Sequence, residues 1–214
     1  MNISSSSSTA LIVMTRWPAT TRCKKRLSND IGPHKASLIQ TKLINHTLEV
    51  VKEINELESA TIHLAVSGVY EQAMKRLSQK NGIKNISSQG NGNLGIRMRR
   101  TLLRIQNRNK YQKIIIIGTD LPTICRRNLV EAIEALNKHS LVLGPSKDGG
   151  YWLIGLSREL IKPVTIWPFV NIPWGTDKVL ETTLKFARFT DTNYFLLEEQ
   201  NDLDHLEDLS PWFK

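Results

Sequence analysis

Apolar runs of strand length alternate along this chain with segments whose apolar residues recur at helical spacing. Leu11–Met14, Thr61–Val66, Ile83–Ser88, Lys113–Ile117, Ser140–Leu143, Tyr151–Leu156 and Tyr194–Leu197 read as strands. Lys35 to about Glu56 reads as a long amphipathic helix, with Leu43, Thr47, Val50 and Ile54 on one stripe. Tyr70–Gln79, the stretch from Gly95 to about Asn107, Arg126–Lys138 and Thr176–Phe189 read as further helices, and Asp204–Leu209 as a short closing turn. This order predicts a mostly parallel sheet with helices on both faces. From Ser146 to Trp174 the rhythm breaks. Gly, Pro and Trp gather there and predict an irregular excursion over one edge of the sheet.

The strongest strand pattern is Ile114 to Pro122, IIIIGTDLP. Four β-branched residues without polar alternation predict a central strand buried on both faces. Ligands of open α/β sheets sit outside the carboxyl ends of such strands, and Asp120 arrives there. Gly118 lets the backbone come close to a ligand, and Pro122 stops the strand. An ionised carboxylate needs a partner in that position, and a divalent metal bridging to phosphate suits it.

The 214 residues, 40% hydrophobic and 23% charged, fit a single globular domain, here expected over residues 10–214. Ser4 to Ser8 read as part of a disordered lead-in over residues 1–9. No apolar run reaches the ~18 residues of a membrane span. The N-terminus has no basic region ahead of its short apolar run and no small-residue cleavage site, so a secretory signal is not expected. Cys23 and Cys125 lie far apart and without metal-ligand spacing, which fits the reducing cytoplasm and excludes an evident zinc site.

Net charge is +9. It leaves three readings: a plain basic surface, a nucleic-acid surface, or a site for a phosphorylated small molecule. Arg16, Arg22, Lys24, Lys25 and Arg26 crowd the loop after the first strand, and Arg97, Arg99, Arg100, Arg104 and Arg108 line one helix. Aromatic residues are scarce in both places. Stacking platforms for single strands are therefore missing, and phosphate is favoured over polymer. Arg presents a planar fork to phosphate oxygens and Lys a point charge.

Two glycine-rich runs carry further chemistry. Gly90-Asn91-Gly92-Asn93-Leu94-Gly95 matches the dinucleotide fingerprint and opens a helix, but lies far into the chain and follows a weak strand. A phosphate or base contact fits it better than a nicotinamide or flavin, and a simple turn is the plain reading. Gly144 to Gly155, GPSKDGGYWLIG, sets Asp148 before two glycines and a strand. Asp148 could bind metal, position a sugar hydroxyl or act as a base.

Together these runs resemble the DUF2064 family of GT-A-like bacterial glycosyltransferases, whose members are associated with radical-SAM or selenium domains or with arsenosugar synthesis. The resemblance spans Leu11 to Leu209. It rests on Arg16-Trp17-Pro18 and Lys24-Lys25-Arg26-Leu27, on Gln89 with Gly92 to Met98, on Gly118 to Pro122, on Gly144 to Leu156, on Trp174 to Val179, and on Asp202, Asp204 and Glu207-Asp208-Leu209. Three positions depart from the family pattern. Arg16 stands for Lys, Lys25 for Thr and Asn93 for Asp. If the family Asp reads the base or ribose, Asn93 alters nucleotide preference.

The resemblance implies an α/β fold of nucleotide-diphospho-sugar transferase type, a Rossmann-like three-layer α/β/α sandwich, with a divalent cation, Mg²⁺ or Mn²⁺. The expected reaction moves a sugar from a nucleoside diphosphate sugar to a small acceptor. Asp120 and Asp148 are the expected catalytic carboxylates. Arg16, Lys24, Arg26, Gly92, Gly95 and Arg97 are expected on nucleotide and phosphate, and Asp148, Gly149, Gly150 and Trp174 on sugar or acceptor. Asp120 and Asp204 are the expected metal ligands, Asp204 alternatively capping a turn. A nucleotidyltransferase releasing pyrophosphate shares these features, and a non-catalytic nucleic-acid-binding module is the reading from another class.

Overall fold

The computed structural model describes residues 8–19, 24–57, 60–68, 70–108, 111–161 and 167–212. Residues 1–7 of the lead-in expected over 1–9, and Arg22 and Cys23 of the basic loop, lie outside them, while Thr9 already belongs to a strand.

In chain order the elements are β1 Thr9–Arg16, α1 Lys25–Ile31, α2 Pro33–Leu57, β2 Thr61–Ser67, α3 Glu71–Asn81, β3 Asn85–Ser88, α4 Leu94–Arg108, β4 Lys113–Ile117, α5 Arg126–Ala135, β5 Leu141–Pro145, β6 Tyr151–Ser157, α6 Arg158–Ile161, α7 Val179–Phe189 and β7 Tyr194–Leu196, with a closing 3-10 turn Leu206–Trp212. The seven strands form one sheet in the order β3-β2-β1-β4-β6-β5-β7. All neighbouring pairs are parallel except those that β6 makes with β4 and β5.

The isoleucine run lies where its pattern puts it. Ile115 and Ile117 join one buried cluster with Leu48, Val51 and Ile54 of α2 and Leu129 of α5. Ile114 and Ile116 join the other with Met98, Leu102 and Ile105 of α4 and Ala187 of α7. Strand β4 thus sends alternate side chains into two separate cores, which is why it shows no polar alternation. Helix α2 starts with Pro33 in its first turn, where the missing N–H costs nothing. Its stripe of Leu43, Thr47, Val50 and Ile54 is buried throughout.

Two expectations are corrected. Lys25 to Leu27, expected to close the loop after the first strand, instead open helix α1, anchored by the fully buried Leu27. The Ser146–Trp174 stretch, expected as an irregular excursion over one edge of the sheet, holds a strand of its interior. Its strand β6 sits inside the sheet between β4 and β5, and Phe169 and Trp174 pack with the α4 side of the core. The pairing of β6 with β4 joins segments far apart in sequence, so local pattern does not reveal it.

Candidate functional site

Strands β1 to β4 run parallel, so Arg16, Ser67, Ser88 and Ile117 end on one edge of the sheet. The strand order reverses at β1, with β2 and β3 on one side and β4 on the other. A crevice forms outside strand ends at such a point. Three adjoining clefts open there. A middle cleft of about 310 Å³ lies among Arg16, Lys24, Arg26, Asp120 and Asp204. Arg16 also lines an outer cleft of about 400 Å³ with Trp17, Gly92 and Arg97. Arg26, Asp120 and Asp204 also line the largest, about 690 Å³, which extends past Asp148, Gly150, Trp174 and Asp202.

Asp120 is held by its neighbours. The buried hydroxyls of Thr15 and Thr119 meet at 3.0 Å, and Gln40 Nε2 donates to Thr119 Oγ1 at 3.4 Å, tying the end of β4 to β1 and α2. Gly118 has no atom within 4 Å of where a Cβ would stand, so the strand end is open to a ligand. The Leu203 N–H donates to the Asp120 carbonyl at 2.8 Å and brings the C-terminal segment across the crevice.

Lys24 binds this arrangement together. Its side chain is 3% exposed, and its Nζ lies 2.6 Å from Asp120 Oδ1 and 3.5 Å from Asp204 Oδ1. It also donates to the Leu203 carbonyl. A buried ammonium requires such partners, because its desolvation is costly. Arg26, largely exposed, reaches Asp204 Oδ2 at 3.2 Å. Asp204 does not cap the closing turn. Asp208 does, accepting the N–H groups of Asp204 and His205 at 2.9 and 2.7 Å.

Asp148 lies at the rim of the large cleft and accepts the Gly150 N–H at 2.9 Å. A Cβ on Gly149 would collide with the backbone of Asp177, so this glycine, with φ +83°, gives room to the start of α7 and not to a ligand. Gly150 lines the cleft. Trp174 lines it too, with its indole N–H donated to the Phe169 carbonyl at 3.1 Å and its ring edge to face with Tyr151 at 5.9 Å. A Cβ on Gly95 would collide with the Phe169 carbonyl and the Trp174 indole, so Gly95 serves packing behind the clefts.

Asp202, named in the sequence only as part of the closing motif, is a lining carboxylate for which no role was expected. Burial first, then the carboxylates of Asp120 and Asp148, push its carboxyl up to about 7 against the pull of Lys24. No local pattern marks it, and the one signal is its Asp-x-Asp spacing from Asp204 after the last strand.

Arg97, Arg100 and Arg104 of α4 reach back to Ser88, Gln89 and Asn91. Arg97 Nη1 donates to Gln89 Oε1 at 2.7 Å, while Gln89 Nε2 donates to the carbonyls of Thr15 and Ala65, both at 2.9 Å. Burial, and then the charge of Arg16, pull the Arg97 guanidinium below its ordinary value. Asn93 caps α4, its Oδ1 accepting the Ile96 N–H at 2.9 Å. Asn and Asp cap equally well, so the departure at this position preserves the helix start.

Among the described residues no group of three or more His, Cys, Asp or Glu side chains forms a ready metal site. The oxygens of Asp120 and Asp204 nevertheless fit a magnesium-type ion, which takes one or two carboxylates and completes its shell with phosphate and water oxygens. Lys24 holds those same carboxylates, so an ion there displaces the ammonium or shares them with it.

A family model described as "Uncharacterized protein conserved in bacteria (DUF2064)" matches residues 50–176. Among solved structures, a Desulfovibrio desulfuricans G20 protein provisionally described as a nucleotide-diphospho-sugar transferase is similar with a TM-score of 0.86. Its identity is 22%, over 97% of this chain and 87% of that one. The 4-diphosphocytidyl-2C-methyl-D-erythritol synthase of Anaerococcus prevotii follows at 0.60 and 12%, over 95% and 94%. Glucosyl-3-phosphoglycerate synthase of Mycobacterium tuberculosis, solved with Mg²⁺ and UDP, follows at 0.54 and 11%, over 91% and 70%. No curated protein matches the chain. These likenesses establish the expected fold, that of nucleotide-diphospho-sugar transferases and nucleotidyltransferases. No described helix is long and apolar enough to cross a membrane.

Proposed function

The chain belongs to the DUF2064 family, and from that premise we propose that it is a transferase moving a sugar from a nucleoside diphosphate sugar to a small acceptor. The observation that carries this reading is the run of three clefts joined by shared residues. Arg16 links the outer to the middle cleft, and Arg26, Asp120 and Asp204 link the middle to the large one. A nucleotide sugar has the same three-part order of base and ribose, diphosphate, and sugar.

In this reading Arg16 and Arg26 hold the diphosphate through charge-assisted bonds, and Lys24 would turn to it once a metal ion takes its place on Asp120 and Asp204. Asp120, with Asp204 beside it, would hold Mg²⁺ or Mn²⁺, whose positive charge stabilises the departing diphosphate. The sugar and acceptor occupy the large cleft, between Gly150 and Trp174. The acceptor hydroxyl oxygen forms the new bond to the anomeric carbon, the bond from that carbon to the diphosphate oxygen breaks, and Asp148 takes the hydroxyl proton. Burial and the charges of Asp120 and Asp148 disfavour the ionised form of Asp202, and a cation bound near them would favour it.

The rival reaction, nucleotidyl transfer, puts a triphosphate on the same cations. Analysis of the small-molecule product tests the reading. Release of a nucleoside diphosphate from a nucleotide sugar supports it, and release of pyrophosphate from a nucleoside triphosphate overturns it.

A further inference from the structure

The outer cleft is rich in hydrogen-bond donors, and the imbalance is built into the loop that shapes it. Arg100 Nη1 donates to the carbonyls of Gln89 and Asn91 at 2.7 and 2.8 Å, and Arg104 Nη1 to that of Ser88 at 2.8 Å. Arg97 engages the side-chain oxygen of Gln89. Three carbonyls and one side-chain oxygen of this segment are thus engaged by arginines within the protein. The lining of the cleft leans the same way. Arg16 and Arg97, which line it, can only donate, and none of the described lining residues is a carboxylate. Ser67 and Asn91 can act either way. The rest of the wall is Trp17 and the glycines at 68, 90 and 92, a surface for a flat ring.

Resting on the nucleotide reading above, we propose that this cleft selects the donor by its base, taking a keto base, guanine first, over adenine or cytosine. Guanine sets its O6 and N7 acceptors side by side, the pattern that a guanidinium meets with two bonds. Adenine carries an amino group in place of O6, and cytosine one where uracil has O4. Donor then faces donor, and buried N–H groups are left without partners. Phosphate also satisfies arginine, and Arg16, which lines the middle cleft as well, can take it there; Arg97 lines the outer cleft and not the middle one, and is left to the base.

Calorimetric titration of the full chain, with Mg²⁺ present, tests this with GDP, IDP, 7-deaza-GDP, UDP, ADP, CDP and inorganic pyrophosphate. GDP and IDP should bind at least about tenfold tighter than ADP and CDP, and loss of N7 should weaken binding. ADP or CDP binding as tightly as GDP overturns the proposal and leaves the nucleotide reading intact. If no nucleoside diphosphate binds tighter than pyrophosphate, the nucleotide reading itself fails. Arg97→Gln should bring GDP and ADP together while the affinity for pyrophosphate stays unchanged. A guanine preference retained in that variant also overturns the proposal, and the wild-type series decides the matter should the variant not fold.

Discussion

Lys24 Nζ lies 2.6 Å from Asp120 Oδ1, yet only 3% of the lysine side chain meets solvent, against 50% of the aspartate side chain. The pair is therefore unequal. Removing the lysine leaves carboxylates that water can reach, whereas removing the aspartate leaves a buried ammonium with fewer partners.

Asp120→Asn should accordingly lose more stability than Lys24→Met, about 3 kcal/mol against about 1 kcal/mol. Mn²⁺ should stabilise Lys24→Met more than the parent, because its competitor for Asp120 and Asp204 is gone. Urea unfolding with and without Mn²⁺ measures both. Equal losses, or no gain from Mn²⁺, would count against the shared site.

Arg26 is the exposed counterpart. Its pair with Asp204 should contribute no more than about 0.5 kcal/mol of stability. Arg26→Ala should still weaken a nucleoside diphosphate by about tenfold or more, through loss of a charge-assisted bond, and leave the bare nucleoside unaffected. Equal losses for the two ligands would mean that Arg26 does not touch phosphate.

The two glycines after Asp148 should respond differently. Gly149→Ala drives a Cβ into the Asp177 backbone at φ +83° and should cost about 3 kcal/mol or more. At Gly150 the nearest atom to a new Cβ is Asp148 Oδ1 at 3.1 Å. Gly150→Ala should keep most of its stability and lose turnover. Thermal melts beside steady-state kinetics separate the two effects.

Two buried groups set the pH dependence, and they oppose each other. Burial lowers His63, paired with Tyr111 at 2.9 Å, to about 4, so its contribution to stability is full above its unfolded value of 6.5 and is lost as pH falls toward 4. Asp202 is raised to about 7, so its contribution is full below its unfolded value of 3.8 and is lost as pH rises through 7. In an Asp202→Asn background, stability should therefore rise by about 3 kcal/mol from pH 4 to 6.5. Adding His63→Gln should flatten that rise. Denaturant titrations across the window test the sign, and a fall with rising pH would refute it.

The parts of this fold that were legible in the sequence are those whose neighbours are local or uniform. Ile114 to Ile117 advertise burial on both faces, and α2 shows its stripe whatever packs on it. Helix α1 escaped notice because its seven residues hold a single fully buried side chain, Leu27, among charges. Lys24 looks solvated in sequence and is not, since its partners Asp120 and Asp204 stand 96 and 180 positions away. Gly95, Gly149 and Gly150 were visible as a set, but what lies beside Gly95 and Gly149 is set by the later 167–178 segment, whereas a Cβ on Gly150 meets the neighbouring Asp148 first.

The return of the C-terminal segment across the crevice also bears on biosynthesis. Leu203 donates to the Asp120 carbonyl, its own carbonyl accepts from Lys24, and Gln200 bonds to Pro145 and Lys147. A nascent chain that has emerged only as far as β5 already holds the isoleucine strand, the basic residues and the glycine loop. It lacks β6, which belongs between β4 and β5, and it lacks the carboxylates of Asp202 and Asp204. Chains lengthen at about 5–20 residues per second, so the roughly 60 residues from the end of β5 to Asp204 take several seconds to follow. During that interval the edges of β4 and β5 that will meet β6 are open, and the ribosome-bound intermediate is a client for chaperones.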